Sequence, residues 1–416
     1  MNILYLSQYY PPEIGATQTR AYEMARGLVQ AGHYVTMITE MPNHPTGIIP
    51  SEYRGRLYER TNENGIDVIR VWVKTSSVKG FRGRMAFYLS YMSMATLAGI
   101  FLSRGKYHVI YATSPPLFVG AAALIISYLR FIPLVFEVRD LWPESAVVLG
   151  ELRNPLFISL AEKLEWCCYR HSRRVVVVTE GIRYHLRERE MPDSHLAVIP
   201  NGARTDLFTP GPIDQDLRRQ LGINENTFVV VYTGLHGLIH GMGIILKAAK
   251  SLLERGIDEQ TVQFLLVGDG VAKQKLMVDA KKMSLTNIRF LEALPEVDLP
   301  PFIRLANVGL ATTAKLPLTK GSLPVKMFSY MACARPVLLA VDGEARELVE
   351  AAQAGLYIAP EDGTALAKAI IELMHNPTLC NTLAENGRRF VEAHYSRKNQ
   401  SRQLARLLGE VVKERC

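Results

Sequence analysis

The pattern of hydrophobic and polar positions in the first half of the chain alternates between two periodicities. Between short apolar runs, apolar residues recur at helical spacing, as in 17–31, where Tyr22, Ala25, Leu28 and Val29 share one face. The apolar runs lie at 2–7, 33–39, 67–73, 109–113, 134–138 and 175–179. Strands that are apolar throughout and joined by helices indicate a parallel sheet covered on both faces. The pattern therefore predicts an α/β domain of the Rossmann-like class.

A second unit of the same kind follows the segment VIPNG at 198–202. Residues 205–221 are rich in Pro, Gly and Asp, which predicts a linker. New apolar runs lie at 228–233, 264–268, 288–290, 308–311 and 336–340, and a last helix is predicted at 396–412. The chain is thus predicted to form two Rossmann-like domains facing across a cleft, with ligands at the carboxyl ends of the strands.

Positive charge is concentrated in one segment of the 416 residues. The chain has 48 Lys and Arg against 40 Asp and Glu, a formal net charge of +8. No acidic residue lies between Arg70 and Lys106, and Met85–Leu102 within that segment is uncharged and apolar. The basic residues of the segment are Arg70, Lys74, Lys79, Arg82, Arg84, Arg104 and Lys106.

The segment 85–102 allows three interpretations. A membrane span is disfavoured because it would interrupt the strand–helix alternation. A buried core helix and an interfacial helix on an anionic bilayer remain open, and the flanking basic residues favour the second. No nucleic-acid partner is expected, because the chain has no recognised binding motif. No signal peptide is predicted at the start of the chain, and the cysteine pattern fits a reduced, cytosolic setting.

Glycine-rich loops follow three of the predicted strands, at 8–17 (QYYPPEIGAT), 232–241 (YTGLHGLIHG) and 267–270 (VGDG). A glycine loop that precedes a helix presents backbone N–H groups to a phosphate. None of the loops matches G-x-G-x-x-G or the Walker sequence, which argues against a dinucleotide enzyme and a P-loop NTPase. The candidate donor-binding residues in these loops are Gly15, Gly234, His236, Gly237, Gly268 and Asp269, and of these Gly15, Gly234 and Gly237 would hold the diphosphate.

A further glycine loop, KGSLPVKMFSYMA at 320–332, leads into a helix with Lys326 in its first turns. The helix dipole disfavours a cation at that position, so Lys326 there indicates a bound anion. A solvated surface lysine is the alternative. Glu344 and Glu347, after the strand that ends near Ala340, are either donor ligands or ordinary first-turn helix residues.

Charged side chains also follow a buried strand in the segment FEVRDLWPE at 136–144. A desolvated Glu137 or Asp140 can take a proton from an alcohol, with a pKa raised by burial or lowered by Arg139. The alternative is a buried ion pair that fixes the loop. Both hold if Arg139 pairs with one carboxylate and leaves the other free.

Together these stretches resemble the retaining GT-B glycosyltransferases of family 4, and in particular a bacterial surface-polysaccharide group described as L-fucosamine transferases. Shared motifs span essentially the whole chain in the expected order. They are YYPPEIGATQTR (9–20), MPNHPTG (41–47), YATSPPLF (111–118), FEVRDLWPES (136–145), VIPNGA (198–203), VGDG (267–270) and LPVKMFSYMACARPVL (323–338).

The resemblance implies transfer of a sugar from a nucleotide-sugar donor, expected to be UDP-linked, to a lipid-linked saccharide acceptor. The reaction would take place at the inner face of the cytoplasmic membrane, in O-antigen or capsule biosynthesis. Residues 1–203 would bind the acceptor and 204–395 the donor, and the helix at 396–416 would cross back to the first domain. No metal or other cofactor is expected, because basic side chains and a helix terminus neutralise the leaving diphosphate.

The sequence departs from the family pattern at the donor site. Members commonly carry two glutamates eight positions apart, and the second contacts the donor ribose; here those positions are Gly321 and Ser329. A serine can bind the ribose hydroxyl, but without the charge that strengthens the bond. The loop at 234–241 also lacks the Arg and Lys that many relatives place on the diphosphate. Lys326 and Lys320 are therefore expected to take that role.

The resulting hypothesis is a front-face displacement in which Asp140 and Glu137 position the acceptor. Two alternatives remain open. One is a nucleotide-sugar 2-epimerase on the same scaffold, which would need no acceptor. The other is a non-catalytic, transferase-like subunit, which the missing glutamates favour.

Overall fold

The computed structural model describes residues 1–13, 15–43, 46–75, 80–148, 150 and 152–414. The chain divides into two compact units. Unit 1 consists of Met1–Asn201 and Arg397–Cys416, and unit 2 of Gly202–Ser396. Each unit is built on one twisted sheet with helices on both faces, which confirms the predicted α/β class.

The sheet of unit 1 has eight strands in the order β3-β4-β2-β1-β5-β6-β7-β8. Its strands are β1 (Asn2–Leu6), β2 (Tyr34–Glu40), β3 (Tyr58–Glu63), β4 (Ile66–Val71), β5 (Val109–Ser114), β6 (Leu134–Val138), β7 (Arg174–Val177) and β8 (Leu196–Val198). Only β3 is antiparallel to its neighbour. The helices are α1 (Ala16–Gln30), α2 (Phe81–Leu97), α3 (Phe118–Arg130), α4 (Glu144–Val148), α5 (Pro155–His171) and α6 (Glu180–Glu188).

Unit 2 repeats the plan with six parallel strands in the order β11-β10-β9-β12-β13-β14. The strands are β9 (Phe228–Thr233), β10 (Val262–Val267), β11 (Ile288–Leu291), β12 (Val308–Thr312), β13 (Val337–Ala340) and β14 (Gly355–Tyr357). Its helices are α7 (Gln215–Gln220), α8 (Gly243–Glu254), α9 (Lys273–Lys282), α10 (Pro300–Leu305), α11 (Val325–Ala332), α12 (Glu344–Ala351), α13 (Gly363–His375) and α14 (Pro377–His394).

The last helix, α15 (Arg397–Lys413), belongs to unit 1 and packs on α1. A β-carbon on Gly27 of α1 would lie 2.2 Å from Ser401 Oγ, so the two helices approach as closely as a glycine allows. Leu404, Leu408 and Val411 complete the apolar core on this face of the sheet. The end of the chain therefore stabilises the domain formed by its beginning.

Three strands and one helix depart from the sequence predictions. Strand β3 was missed because it is an edge strand in which exposed and half-buried residues alternate, so it has no apolar run. The short strands β8 and β14 were also missed. The predicted linker at 205–221 contains α7, whose first turn is capped by the Asp214 carboxylate accepting a hydrogen bond from Leu217 N at 2.9 Å.

In each sheet, the chain adds strands first on one side of a central strand and later on its other side. Strand β1 lies between β2 and β5, and β9 lies between β10 and β12. In open α/β sheets such a switch of strand order leaves a crevice outside the carboxyl ends, where ligands bind. A ligand site is therefore expected at this edge in each unit.

Candidate active site

The loops that follow β9 and β10 pack directly on each other at the carboxyl edge of the unit 2 sheet. Gly234 has φ 115°, in the region that glycine favours. A β-carbon on Gly268 would lie 1.9 Å from Gly234 O, so no side chain fits between the loops. His236 N donates a hydrogen bond to Asp269 O at 2.8 Å. These contacts fix the backbone that carries His236.

Lys326 is the second residue of α11 and points its ammonium group into this edge. Its Nζ is buried and lies 3.5 Å from the centroid of the Tyr232 ring. Within the described part of the chain, Nζ has no hydrogen-bond partner. Burial lowers the pKa of Lys326 well below its usual value. Lys326 therefore contacts the face of the Tyr232 ring, but none of the described residues accepts a hydrogen bond from its ammonium group.

Two histidines of the β9–α8 loop share the environment of Lys326. His236 is fully buried, and neither ring nitrogen has a hydrogen-bond partner among the described residues. Burial, together with the charges of Lys273 and Lys326, lowers the pKa of His236 to about 4. Burial and the charge of Lys326 likewise lower the pKa of His240 to about 4.

Tyr232, the first residue of the glycine loop at 232–241, and Thr313, just after β12, were not predicted as site residues and lie at the same edge of the sheet. Thr313 follows β12, and its buried hydroxyl has no hydrogen-bond partner among the residues described here. Tyr232 lies at the end of β9, under the ammonium group. The feature of the sequence that could have identified them is that each lies at or just after the end of an apolar run predicted as a strand. Buried polar groups are almost always satisfied, so these groups indicate a missing partner, and the basic ones fit an anion.

The other predicted donor ligands lie around this group or further along the sheet edge. Gly237 precedes the turn that carries His240, and Asp269 accepts a hydrogen bond from Gly270 N at 2.7 Å. Ser329 is buried in α11. Lys320 is exposed, and a β-carbon on Gly343 would lie 2.1 Å from its carbonyl oxygen. Glu344 and Glu347, in the first turn of α12, thus lie beside the Lys320 turn.

In the part of the chain that the structure describes, no group of three or more His, Cys, Asp or Glu side chains is placed to hold an ion. Of the two histidines four positions apart, His240 ends the turn Leu238–His240, which Gly241 caps with φ 58°, and His236 precedes that turn.

In unit 1, Glu137 is a buried and fully partnered carboxylate. It accepts hydrogen bonds from Arg20 Nη2 at 2.7 Å and Arg20 Nε at 3.1 Å, from the Tyr111 hydroxyl at 2.5 Å and from the Thr113 hydroxyl at 2.6 Å. Burial alone would raise the pKa of Glu137, but the charge and hydrogen bonds of Arg20 outweigh it and hold the pKa below its usual value. Glu137 therefore matches the buried ion-pair alternative, and its fully buried side chain is not exposed to an acceptor.

Arg139 and Asp140 have separate roles in the loop after β6. Arg139 Nε lies 3.9 Å from Glu137 Oε2 and donates to Ser114 O at 3.1 Å, so it mainly fixes the backbone. Asp140 is exposed and accepts a hydrogen bond from the Ser145 hydroxyl at 2.9 Å. The principal partner of Glu137 is Arg20, which the sequence analysis missed. Asp140 is the carboxylate of this loop that a ligand can reach.

Gly15 is the N-cap residue of α1 in unit 1, whereas the other candidate diphosphate ligands lie in unit 2. Its backbone is extended, with φ 164° and ψ 164°, so the reason for glycine here is not a tight turn. A β-carbon would lie 2.5 Å from Gln18 Oε1, so the position requires space.

Two models of glycosyltransferase families match successive parts of the chain. Residues 15–202 match the glycosyl transferase 4-like domain, and residues 213–390 match the domain of glycosyl transferases group 1. The fold resembles that of sucrose-phosphate synthase from Thermosynechococcus elongatus (TM-score 0.75, 19% identity, 99% of each chain). It also resembles HepE of Anabaena in complex with UDP (TM-score 0.73, 20% identity, 99% of this chain and 100% of HepE). The protein is a glycosyltransferase of the GT-B fold.

Relatives in sequence have the same type of activity. This glycosyltransferase is 24% identical to the alpha-D-kanosaminyltransferase of Streptomyces kanamyceticus over 309 residues. The matched region covers 70% of this chain and 75% of that relative. It is 23% identical over 413 residues to WcaI of Escherichia coli (strain K12), whose name designates a glycosyl transferase of colanic acid biosynthesis; 97% and 98% of the two chains are covered. The predicted enzyme class and fold family are confirmed.

Proposed function

We propose that this glycosyltransferase transfers a sugar from a UDP-linked donor to a lipid-linked saccharide, with retention at the anomeric carbon. The observation that carries the proposal is the group formed by Lys326, His236, His240 and Thr313, whose buried polar atoms lack partners in the described structure. A diphosphate supplies the negative charge and acceptor oxygens that this group lacks.

The choice of UDP rests on likeness. HepE of Anabaena, with the same fold, has been solved with UDP and with UDP-glucose. In our proposal the donor sugar is an N-acetylated amino-deoxy sugar, as in the L-fucosamine transferase group that the motifs resemble. The hydroxyl of Ser329, at the position of the family's ribose-binding glutamate, would bind the ribose.

The proposed reaction is a front-face displacement. The acceptor oxygen forms a bond to the anomeric carbon on the face from which the diphosphate departs, and the bonding electrons of the broken C–O bond go to the diphosphate. A phosphate oxygen takes the acceptor proton, so no enzyme nucleophile is needed. Lys326 and the backbone at Gly234 and Gly237 stabilise the charge that develops on the leaving group. Asp140 orients the acceptor hydroxyl, and no metal is required.

The proposed setting is the inner face of the cytoplasmic membrane, where the chain would associate peripherally through the 70–106 segment and act in O-antigen or capsule synthesis. Relatives named for such pathways support this: WcaI for colanic acid, and the structural neighbour WaaG for lipopolysaccharide (TM-score 0.68, 16% identity, 98% of this chain and 99% of that chain).

A thermal-shift panel of UDP-, GDP- and ADP-sugars tests the donor. A ligand that binds only the folded state raises the melting temperature by mass action, and UDP-sugars are expected to give the largest shift. No shift with any of them contradicts the proposal. The bound UDP-sugar is then incubated alone and with lipid-linked saccharide. Turnover without acceptor would support an epimerase, and binding without turnover on any acceptor a non-catalytic subunit.

The acceptor role of Asp140 is tested by Asp140→Asn. Because the residue is exposed, the variant is expected to keep its melting temperature and its UDP shift while transfer slows by about 100-fold or more. Ser145→Ala, which removes only the hydrogen bond to Asp140, serves as the matched control. Unchanged transfer in Asp140→Asn would exclude this role.

A further inference from the structure

One helix of unit 1 is apolar on its outer side. Among the described residues, the segment Arg82–Leu102, formed by α2 and the turn after it, is the one helix long and apolar enough to cross a membrane, and only 22% of its most apolar window is buried. The helix therefore packs one side on the core of unit 1, through Tyr91 and Ala95, and leaves its other side uncovered. A surface helix of a globular domain ordinarily has a polar outer side.

The exposed positions of this helix form a stripe. Leu89, Ser93, Leu97 and Phe101 recur every four residues, which places them along one side, opposite Tyr91 and Ala95 in the core. Leu89, Leu97 and Phe101 are 41%, 49% and 71% exposed. Three of the four exposed positions of the stripe are thus large and apolar, and the fourth is a serine.

The hydroxyl groups in the stripe and beside it already donate hydrogen bonds to backbone carbonyls of the same helix. The Ser93 hydroxyl donates to Leu89 O at 2.9 Å, and the Thr96 hydroxyl donates to Met92 O at 2.7 Å. The Ser90 hydroxyl donates to Phe87 O at 2.8 Å. Hydroxyls bonded in this way enter an apolar environment without losing a partner, so the stripe can leave water at small polar cost.

The end of α3 is joined to the turn after α2 and has exposed aromatic residues of its own. Arg130 Nη1 donates to Gly99 O at 2.8 Å and to the Ser103 hydroxyl at 2.7 Å, which fastens α3 to the turn after α2. Beside Arg130, Tyr128 is 79% exposed and Phe131 is 77% exposed. Aromatic side chains are the residues that prefer the interface between lipid headgroups and acyl chains.

Basic residues flank the stripe at both ends. Arg82 is exposed at the start of α2, and Arg104 and Lys106 are exposed just after the turn that follows it. Arg70 does not contribute, because it is buried and paired with Glu63. Apolar residues between two exposed basic groups match a bilayer with anionic headgroups.

We propose that α2 lies in the plane of an anionic lipid monolayer, with a docking face formed by Leu89, Leu97 and Phe101 and by the flanking Arg82, Arg104 and Lys106. The proposal rests on the membrane setting of the proposed function, names the face that would provide it and does not depend on the donor. A second copy of the chain fits less well as the occupant. A two-fold contact across α2 with the helices antiparallel would set Arg82 against Arg104 of the other copy, and like charges repel.

Vesicle flotation of the full chain tests the proposal, with phosphatidylcholine vesicles and with vesicles that also contain phosphatidylglycerol. Wild type is expected to float with the anionic vesicles and to be released by salt. The double variant Leu97→Asp/Phe101→Asp is expected to lose about tenfold or more of its vesicle partition. The matched control is Val297→Asp, which adds a charge at a 56% exposed apolar residue of unit 2 and is expected to float like wild type.

A charge variant separates the two contributions. Arg104→Glu/Lys106→Glu is expected to abolish the preference for phosphatidylglycerol while weak binding to neutral vesicles remains. The thermal shift with UDP, measured in every variant, reports that the chain is folded and tests the donor proposal independently.

Three outcomes would overturn the inference. The first is flotation that Leu97→Asp/Phe101→Asp leaves unchanged. The second is a lipid-free dimer in light scattering that the same substitutions disperse, because the face would then be a contact between copies. The third is resistance of the membrane-bound chain to alkaline carbonate extraction, which would indicate a span rather than an in-plane helix.

Discussion

Two charged side chains are buried at the carboxyl edges of the two sheets, and their surroundings are opposite. Glu137 in unit 1 has hydrogen bonds from a guanidinium and two hydroxyls. Lys326 in unit 2 has an aromatic ring on one side and no hydrogen-bond partner among the described residues. The pKa of Glu137 is lowered, and because Glu137 is an acid this favours its charged form. The pKa of Lys326 is also lowered, and because Lys326 is a base this favours its neutral form.

The difference separates a structural charge from a ligand-binding one. A buried charge with a full set of partners fixes the fold, and removing one partner leaves the other uncompensated. A buried basic group without a partner costs stability in the free protein and regains it when an anion binds. We therefore assign Glu137 to the scaffold and Lys326 to the diphosphate, and the following changes test that assignment.

The largest expected effect is on stability, in Arg20→Met. The substitution leaves Glu137 buried without its cation, and we expect the free energy of unfolding to fall by about 3–5 kcal/mol. Urea unfolding measures the loss, and Arg20→Met/Glu137→Gln is expected to recover part of it. A loss below about 1 kcal/mol would show that Glu137 does not depend on Arg20.

The next effect is on binding, in Lys326→Met. We expect UDP affinity to fall by about 100-fold or more, because a desolvated charge on the diphosphate is lost. The melting temperature of the free protein should rise or stay the same, since an uncompensated buried cation is removed. Calorimetric titration with UDP and thermal melts measure the two. A destabilised variant that still binds UDP would reverse the assignment.

A smaller effect is the pH dependence that His236 introduces. Its pKa in the free protein is about 4, against an ordinary value of 6.5. The unfolded chain therefore takes up a proton first on acidification, and the stability from His236 declines from about pH 6.5 down to about pH 4, by about 1 kcal/mol at about pH 5.5. Bound diphosphate favours the protonated ring, so UDP affinity should increase over the same range.

His236→Asn checks this expectation. Thermal melts and UDP titrations across that pH range should show a flatter dependence for the variant than for wild type, with UDP affinity about tenfold lower near pH 6. Identical pH profiles for the two proteins would remove His236 from the site.

The smallest effect is expected for Lys320→Ala. Lys320 is exposed, so its attraction to a diphosphate is screened by water, and UDP affinity should change by less than about 1 kcal/mol. The two lysines lie six positions apart in one motif, and titration of both variants with UDP compares an exposed with a buried cation directly. Equal losses would mean that burial is not what makes Lys326 important.

Most of the fold could be predicted because the signal is local. The apolar runs at 134–138 and 228–233 coincide with β6 and β9, since central parallel strands are apolar on both faces. Edge strand β3 and the capped helix α7 escaped because an edge strand needs no apolar run and a short helix needs little more than its cap. Candidate ligands at strand ends were identifiable for the same local reason, as glycines and charged residues after apolar runs.

The sequence by itself determined the two α/β units, the helix that begins just before Lys326, and the apolar segment between basic residues at 85–102. Only the tertiary structure decided which buried charges are satisfied and which side of α2 is uncovered. Arg20 lies 117 positions before Glu137, and the Tyr232 ring under Lys326 of α11 comes from strand β9. Partners of this kind are supplied by packing between distant segments, and no local pattern specifies them.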